Sequence, residues 1–125
     1  MKELVGRKII GIFPKSECII FDTDKGGLSY TVEGDCCSYS WFESIQGVDA
    51  LLLGTVTEVE ELFIDSWTDE TDELIQSYGF KIKTNKGYAT IEFRNSSNGY
   101  YGGWCNPGST CDAPQIPSIQ DDWNN

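Results

Sequence analysis

Ile9, Ile10, Ile12 and Phe13 form a short apolar run that Pro14 stops, and CIIFDT at 18–23 forms a second. Asp24-Lys25-Gly26-Gly27 is a turn signal before LSYTVEGD at 28–35, where Leu28, Tyr30 and Val32 alternate with polar neighbours. Alternation with a period of two marks a half-buried strand, so the three segments predict a β-meander. YGFKIKT at 78–84 and GYATIEFR at 87–94 make the clearest pair in the chain. Phe80 and Ile82 alternate with Lys81 and Lys83, and Tyr88, Ile91 and Phe93 mark the partner. Asn85-Lys86-Gly87 between them is a compact turn with glycine placed where a positive φ is needed, so this is a hairpin.

The middle of the chain reads differently. In CCSYSWFESIQG, Ser38 or Ser40 can cap a helix, and Glu43 stands three residues after Ser40, as in a capping box. Trp41, Phe42 and Ile45 then share a helical face, and Gly47 is a C-cap candidate. Val48 to Leu53 suits a second, short helical turn closed by Gly54. TVTEVEELFID at 55–65 fits neither period cleanly and is expected to be a strand with a bulge. DSWTDETDE at 65–73 is acidic without a base and is expected to be a solvated loop, with a helical turn near 69–76 as an option. Over 112–125, Ile116, Ile119 and Trp123 are almost the only apolar anchors in a coil-like tail. Those anchors favour an arm docked on a surface, such as another subunit, over disorder. The expected architecture is α+β: one domain, residues 1–104, with an antiparallel sheet of about six strands packed on one main helix, and an irregular tail, 105–125.

Composition narrows the function. A chain of 125 residues is one domain by length and long enough to bury a core. Its net charge of −11 disfavours duplex nucleic acid and anionic membrane as partners, since both reward Lys and Arg. There is no histidine, which removes the commonest general base and zinc ligand. No apolar run is long enough to span a bilayer, and MKELVGRKIIGIF lacks the pattern of a signal peptide. The default expectation is the cytoplasm, where Cys18, Cys36, Cys37, Cys105 and Cys111 would mostly be thiols. Neither Cys36-Cys37 nor Cys105/Cys111 has the spacing of a zinc knuckle, and no metal or cofactor is expected.

Two segments carry candidate chemistry. In GDCCSYSW at 34–41 a strand gives way to the expected helix, whose first N–H groups, with Ser38 and Ser40, suit an anion. The rival reading is that these serines only cap the helix. RNSSNGYYGGW at 94–104 is too polar for a core and too aromatic for a linker. Arg94 supplies a planar fork for phosphate. Asn95, Ser96, Ser97 and Asn98 supply amides and hydroxyls for ribose or base edges. Tyr100, Tyr101 and Trp104 supply faces on which a base stacks. The same run also suits a loop that closes the core or pairs with a second subunit. Asp35 suits ribose hydroxyls and Trp41 a stacking face, which completes the candidate ligand set.

EGDCCSYSWF (33–42), GVDALLLGTVTEVEE (47–61) and YGFKIKTNKGYATIEFRNSSNGYYGG (78–103) resemble the first family of phage Thoeris anti-defence proteins. That resemblance implies a sponge: a homodimer or larger assembly that sequesters, uncleaved, a cyclic ADP-ribose isomer made by a TIR-domain sensor. It also implies that cyclic oligonucleotides are possible ligands. Two rivals stand beside it. One is an enzyme acting on such a nucleotide through Asp35, Glu92 or Cys37. The other is an acidic protein–protein inhibitor of a host defence factor, using residues 58–73 as a phosphate mimic.

Overall fold

A computed structural model describes residues 1–34, 38–97, 103–107 and 117–125. Among these, strands β1 (Ile9–Pro14), β2 (Cys18–Thr23), β3 (Gly26–Gly34) and β8 (Gly103–Pro107) form one antiparallel sheet in the order β1-β2-β3-β8. Strands β4 (Tyr39–Gln46), β5 (Val56–Thr68), β6 (Leu74–Thr84), β7 (Gly87–Ser97) and β9 (Trp123–Asn124) form a second, in the order β5-β6-β7-β4-β9. One short helix, α1 (Val48–Leu51), follows β4. Both sheets feed a single hydrophobic cluster. Ile9, Ile12, Ile19, Phe21 and Tyr30 come from the first, and Phe42, Ile45, Phe80, Ile82, Ile91 and Phe93 from the second. Each such side chain contributes about 1.5–3 kcal/mol by leaving water. Phe42→Ala, which opens a cavity between the sheets, should cost about 3–5 kcal/mol.

The meander and the hairpin lie where the alternation placed them. β6 and β7 pair from Leu74↔Ser97 to Thr84↔Gly87, and Gly87 has φ +143° at the turn. β5 is the bulged strand expected, with register shifts between Val56 and Glu58 and between Phe63 and Asp65.

The expected single sheet of about six strands with one main helix is corrected: there are two sheets, and residues 39–46 are strand β4. The cause is a bulge. β4 pairs Phe42 with Phe93 and Ile45 with Ile91, and its register shifts between Phe42 and Ser44. The extra residue turns Phe42 and Ile45, three apart, onto the same inward face. That spacing imitates a helix. The short turn expected at 48–53 is present as α1.

The acidic stretch is also ordered. β5 continues through Trp67 to Thr68, and a tight turn leads into β6 at Leu74, so no helical turn forms at 69–76. The Asp69 carboxylate organises that turn by accepting hydrogen bonds from the Thr71 N–H (2.8 Å), the Thr71 hydroxyl (2.7 Å) and the Glu73 N–H (3.1 Å). These bonds, with Thr71 foremost, lower the Asp69 pKa.

The boundary drawn at residue 104 falls inside β8, which pairs Val32 with Cys105. Residues 117–125 dock on their own chain. Ile119 donates its N–H to the Ile12 carbonyl at 3.0 Å, and Ile119 and Trp123 pack on the core. β9 adds to the edge of β4, pairing Trp123 with Ile45. Asp122 accepts from the N–H groups of Gly47 (2.9 Å) and Val48 (3.0 Å), capping α1 from far along the chain. Ile116 lies outside the described residues.

Cys18 is disulfide-bonded, which corrects the expectation of a thiol there. Cys105 is a free thiol, and burial pushes its pKa up to about 12. No helix among the described residues is long and apolar enough to cross a membrane.

Candidate functional site

Strand alternation divides β7 into two sets. Ala89, Ile91, Phe93, Asn95 and Ser97 are buried toward the core, while Glu92, Arg94 and Ser96 stand half-buried on the opposite face of the sheet. Register carries that outer face across its neighbours. Trp41 of β4 pairs with Arg94 and Tyr39 with Ser96. On the other side, Ser77 of β6 pairs with Arg94 and Ile75 with Ser96, and Trp67 of β5 pairs with Ile75. The result is a groove of about 560 Å³ lined by Tyr39, Trp41, Trp67, Asp69, Arg94 and Ser96, together with Ser16, Ile75 and Asn125.

Arg94 is the centre of this groove and is rigidly held. Its Nε donates to Glu92 Oε2 at 2.6 Å, and its Nη1 lies 3.3 Å from Glu43 Oε1. The Trp67 ring lies beside the guanidinium, 5.0 Å from its carbon, in cation–π contact. Both carboxylates are themselves fixed. Glu92 Oε2 accepts from the Ser77 hydroxyl at 2.6 Å, and Glu43 Oε2 accepts from Trp41 Nε1 at 2.7 Å. Nη2 of Arg94 makes no hydrogen bond or ion pair to another described residue. Tyr39 and Trp41, two apart on one strand face, stack at 5.4 Å and 24°, and Tyr39 is 61% exposed. One wall is therefore a ready aromatic surface, and the floor offers one fixed guanidinium edge.

The expected ligand residues separate. Arg94 and Trp41 meet in the groove. Asn95 and Ser97 are buried on the other face, where Asn95 Oδ1 accepts from the Ser40 hydroxyl at 2.8 Å. Ser38 stands beside Gly34 and no helix begins there, so the expected anion site at a helix start is corrected. Trp104 projects from β8, next to Cys105 and Phe93 in a smaller cleft of about 190 Å³. Asp35, Asn98, Tyr100 and Tyr101, with Cys36, Cys37 and Cys111, lie outside the described residues. Ser96, one of the expected hydroxyls, does line the groove, while Tyr39, Trp67, Asp69 and Asn125 join it without having been singled out as ligand residues. Period-two counting from Trp41 would have found Tyr39 once β4 was read as a strand. Trp67 needs the β5–β6 register, which no local signal carries.

Two antiparallel sheets around one core, with an arginine-centred aromatic groove on the outside of the larger sheet, define the class of protein. The chain belongs to the family described as a domain of unknown function, DUF7448, which matches residues 2–106. No curated protein and no solved structure matches it.

Proposed function

We propose that this chain is a non-covalent binder of a nucleotide-sized ligand, held in the outer-face groove and released intact. The observation that carries the proposal is Arg94, pinned by Glu92, Glu43 and Trp67 with its Nη2 edge still available. A donor fixed before binding loses little entropy on binding. A groove of about 560 Å³ suits a small molecule of this size. A base stacks on the Tyr39–Trp41 wall, one phosphate oxygen accepts from Nη2, and Asp69 and Ser96 reach ribose hydroxyls.

Charge sharpens the ligand class. Glu43, Glu92 and Asp69 outnumber Arg94 around the groove, so a terminal phosphate dianion is repelled at close range, inside a screening length of about 8 Å. A cyclic dinucleotide-like ligand, whose phosphates each carry a single charge, suits this balance better. That agrees with the Thoeris anti-defence resemblance. In this reading the protein serves a phage or prophage in the host cytosol. It sequesters a cyclic ADP-ribose isomer made by a TIR-domain protein and so keeps the effector silent. It acts as a homodimer or larger assembly.

The test is mass spectrometry of small molecules released by denaturing protein purified from cells with an active TIR sensor. An intact cyclic ADP-ribose isomer at near-stoichiometric yield supports sequestration. A linear, cleaved product means an enzyme, and protein that carries no nucleotide contradicts the proposal.

A further inference from the structure

β5 is the outer strand of the five-stranded sheet: at its start Val56 accepts from the Gly6 N–H (2.8 Å) and donates to the Arg7 carbonyl (2.9 Å), and beyond Val56 its one paired neighbour among the described residues is β6. At 13 residues it is far longer than the common strand of roughly 5–6. An edge strand presents unpaired N–H and C=O groups that template another strand, and long edges are ordinarily shortened or covered. Here the two register shifts leave Glu58 to Phe63 as one regular run between them. Charge does not fully guard that run, because Phe63 is 62% exposed and the adjoining Ile64 is 45% exposed.

We propose that the outer edge of β5 from Glu58 onward captures an extended, basic segment of a partner protein as an added strand. Charge selects the occupant. Glu58, Glu60, Glu61 and Asp65 lie on β5, and Glu70, Asp72 and Glu73 follow in the turn. Among the described residues, the pair Lys83–Glu58, at 3.3 Å and exposed, is the one salt bridge that reaches these carboxylates. A second copy is a poor occupant. Two β5 strands paired across a two-fold axis would bring all four acids of each strand into one seam, and opposed like charges destabilise a sheet. A strand with Lys or Arg at alternate positions meets the carboxylates instead. Its main chain completes the ladder, and an apolar residue lies beside Phe63. The −11 net charge also steers a basic partner toward the chain at low salt.

The experiment titrates the full chain with a fluorescent peptide of alternating Lys and Val, read by anisotropy. The controls are a Ser/Val peptide and a Lys/Val peptide N-methylated at consecutive residues, so that both of its strand edges are blocked. The Lys/Val peptide should bind, and each control should bind at least tenfold more weakly. The double variant Glu60→Lys/Glu61→Lys, checked for folding by circular dichroism, should weaken capture of the Lys/Val peptide at least tenfold. Equal binding of the Ser/Val peptide removes the charge argument. Equal binding of the N-methylated peptide shows attraction without strand addition. A folded double variant that binds as well as the parent removes the site. Any one of these overturns the proposal.

Discussion

Arg94 is positioned before any ligand arrives, and its removal should separate binding from folding. Arg94→Ala is expected to weaken nucleotide binding by about 1.5–3 kcal/mol, tenfold or more, because the lost bond is to a charged group. Glu92 keeps its bond from Ser77, so unfolding by denaturant should move little. Asn95, its neighbour in sequence, should behave in the opposite sense. Asn95→Ala removes the buried bond from Ser40, whose hydroxyl keeps the Glu33 carbonyl at 3.0 Å as acceptor, and should cost about 1 kcal/mol of stability, with binding unchanged in the folded fraction. Tyr30 carries a pH dependence. Burial raises its pKa, and the bond from its hydroxyl to Glu3 at 3.0 Å raises it further. The neutral phenol is therefore the form the fold prefers. Its contribution is whole below the ordinary tyrosine pKa of 10.0 and is lost as pH climbs through the raised folded value. Stability measured by denaturant should fall above pH 10, and Tyr30→Phe should flatten that fall.

At the scale of elements, the tail is part of the fold. Asp122 caps α1, and Asn125 donates through its side-chain amide to the Phe42 carbonyl at 2.9 Å. Asp122→Ala should cost about 1 kcal/mol, as loss of a helix cap does. In hydrogen exchange, the amides of Gly47 and Val48 should lose protection first. Gly47 itself has φ +86°, and a Cβ there would meet the Tyr88 carbonyl at 2.7 Å. Gly47→Ala should therefore destabilise by more than about 1 kcal/mol. The meander, the β6–β7 hairpin, the bulged β5 and the turn at α1 were legible because each signal is local. β4 was not. Its bulge put Phe42 and Ile45 on one face at helical spacing, and Ser40 and Glu43 completed a false capping box. The helix N-terminus expected near Ser38 fell with that helix.

For the whole molecule, two sheets share one core, and the groove is made by register across four strands. Sequence reasoning reached Arg94 and Trp41 because arginine and tryptophan carry their chemistry in their type. It missed Tyr39 and Trp67 because their proximity to Arg94 depends on pairings between distant segments. The most direct test of the groove is calorimetry with a cyclic ADP-ribose isomer, titrated into the parent chain and into Trp41→Ala. A saturable heat in the parent, weakened by about 1–3 kcal/mol in Trp41→Ala through loss of base stacking, is the expected result. No saturable heat in the parent, or the same affinity in both proteins, would contradict the groove as the ligand site.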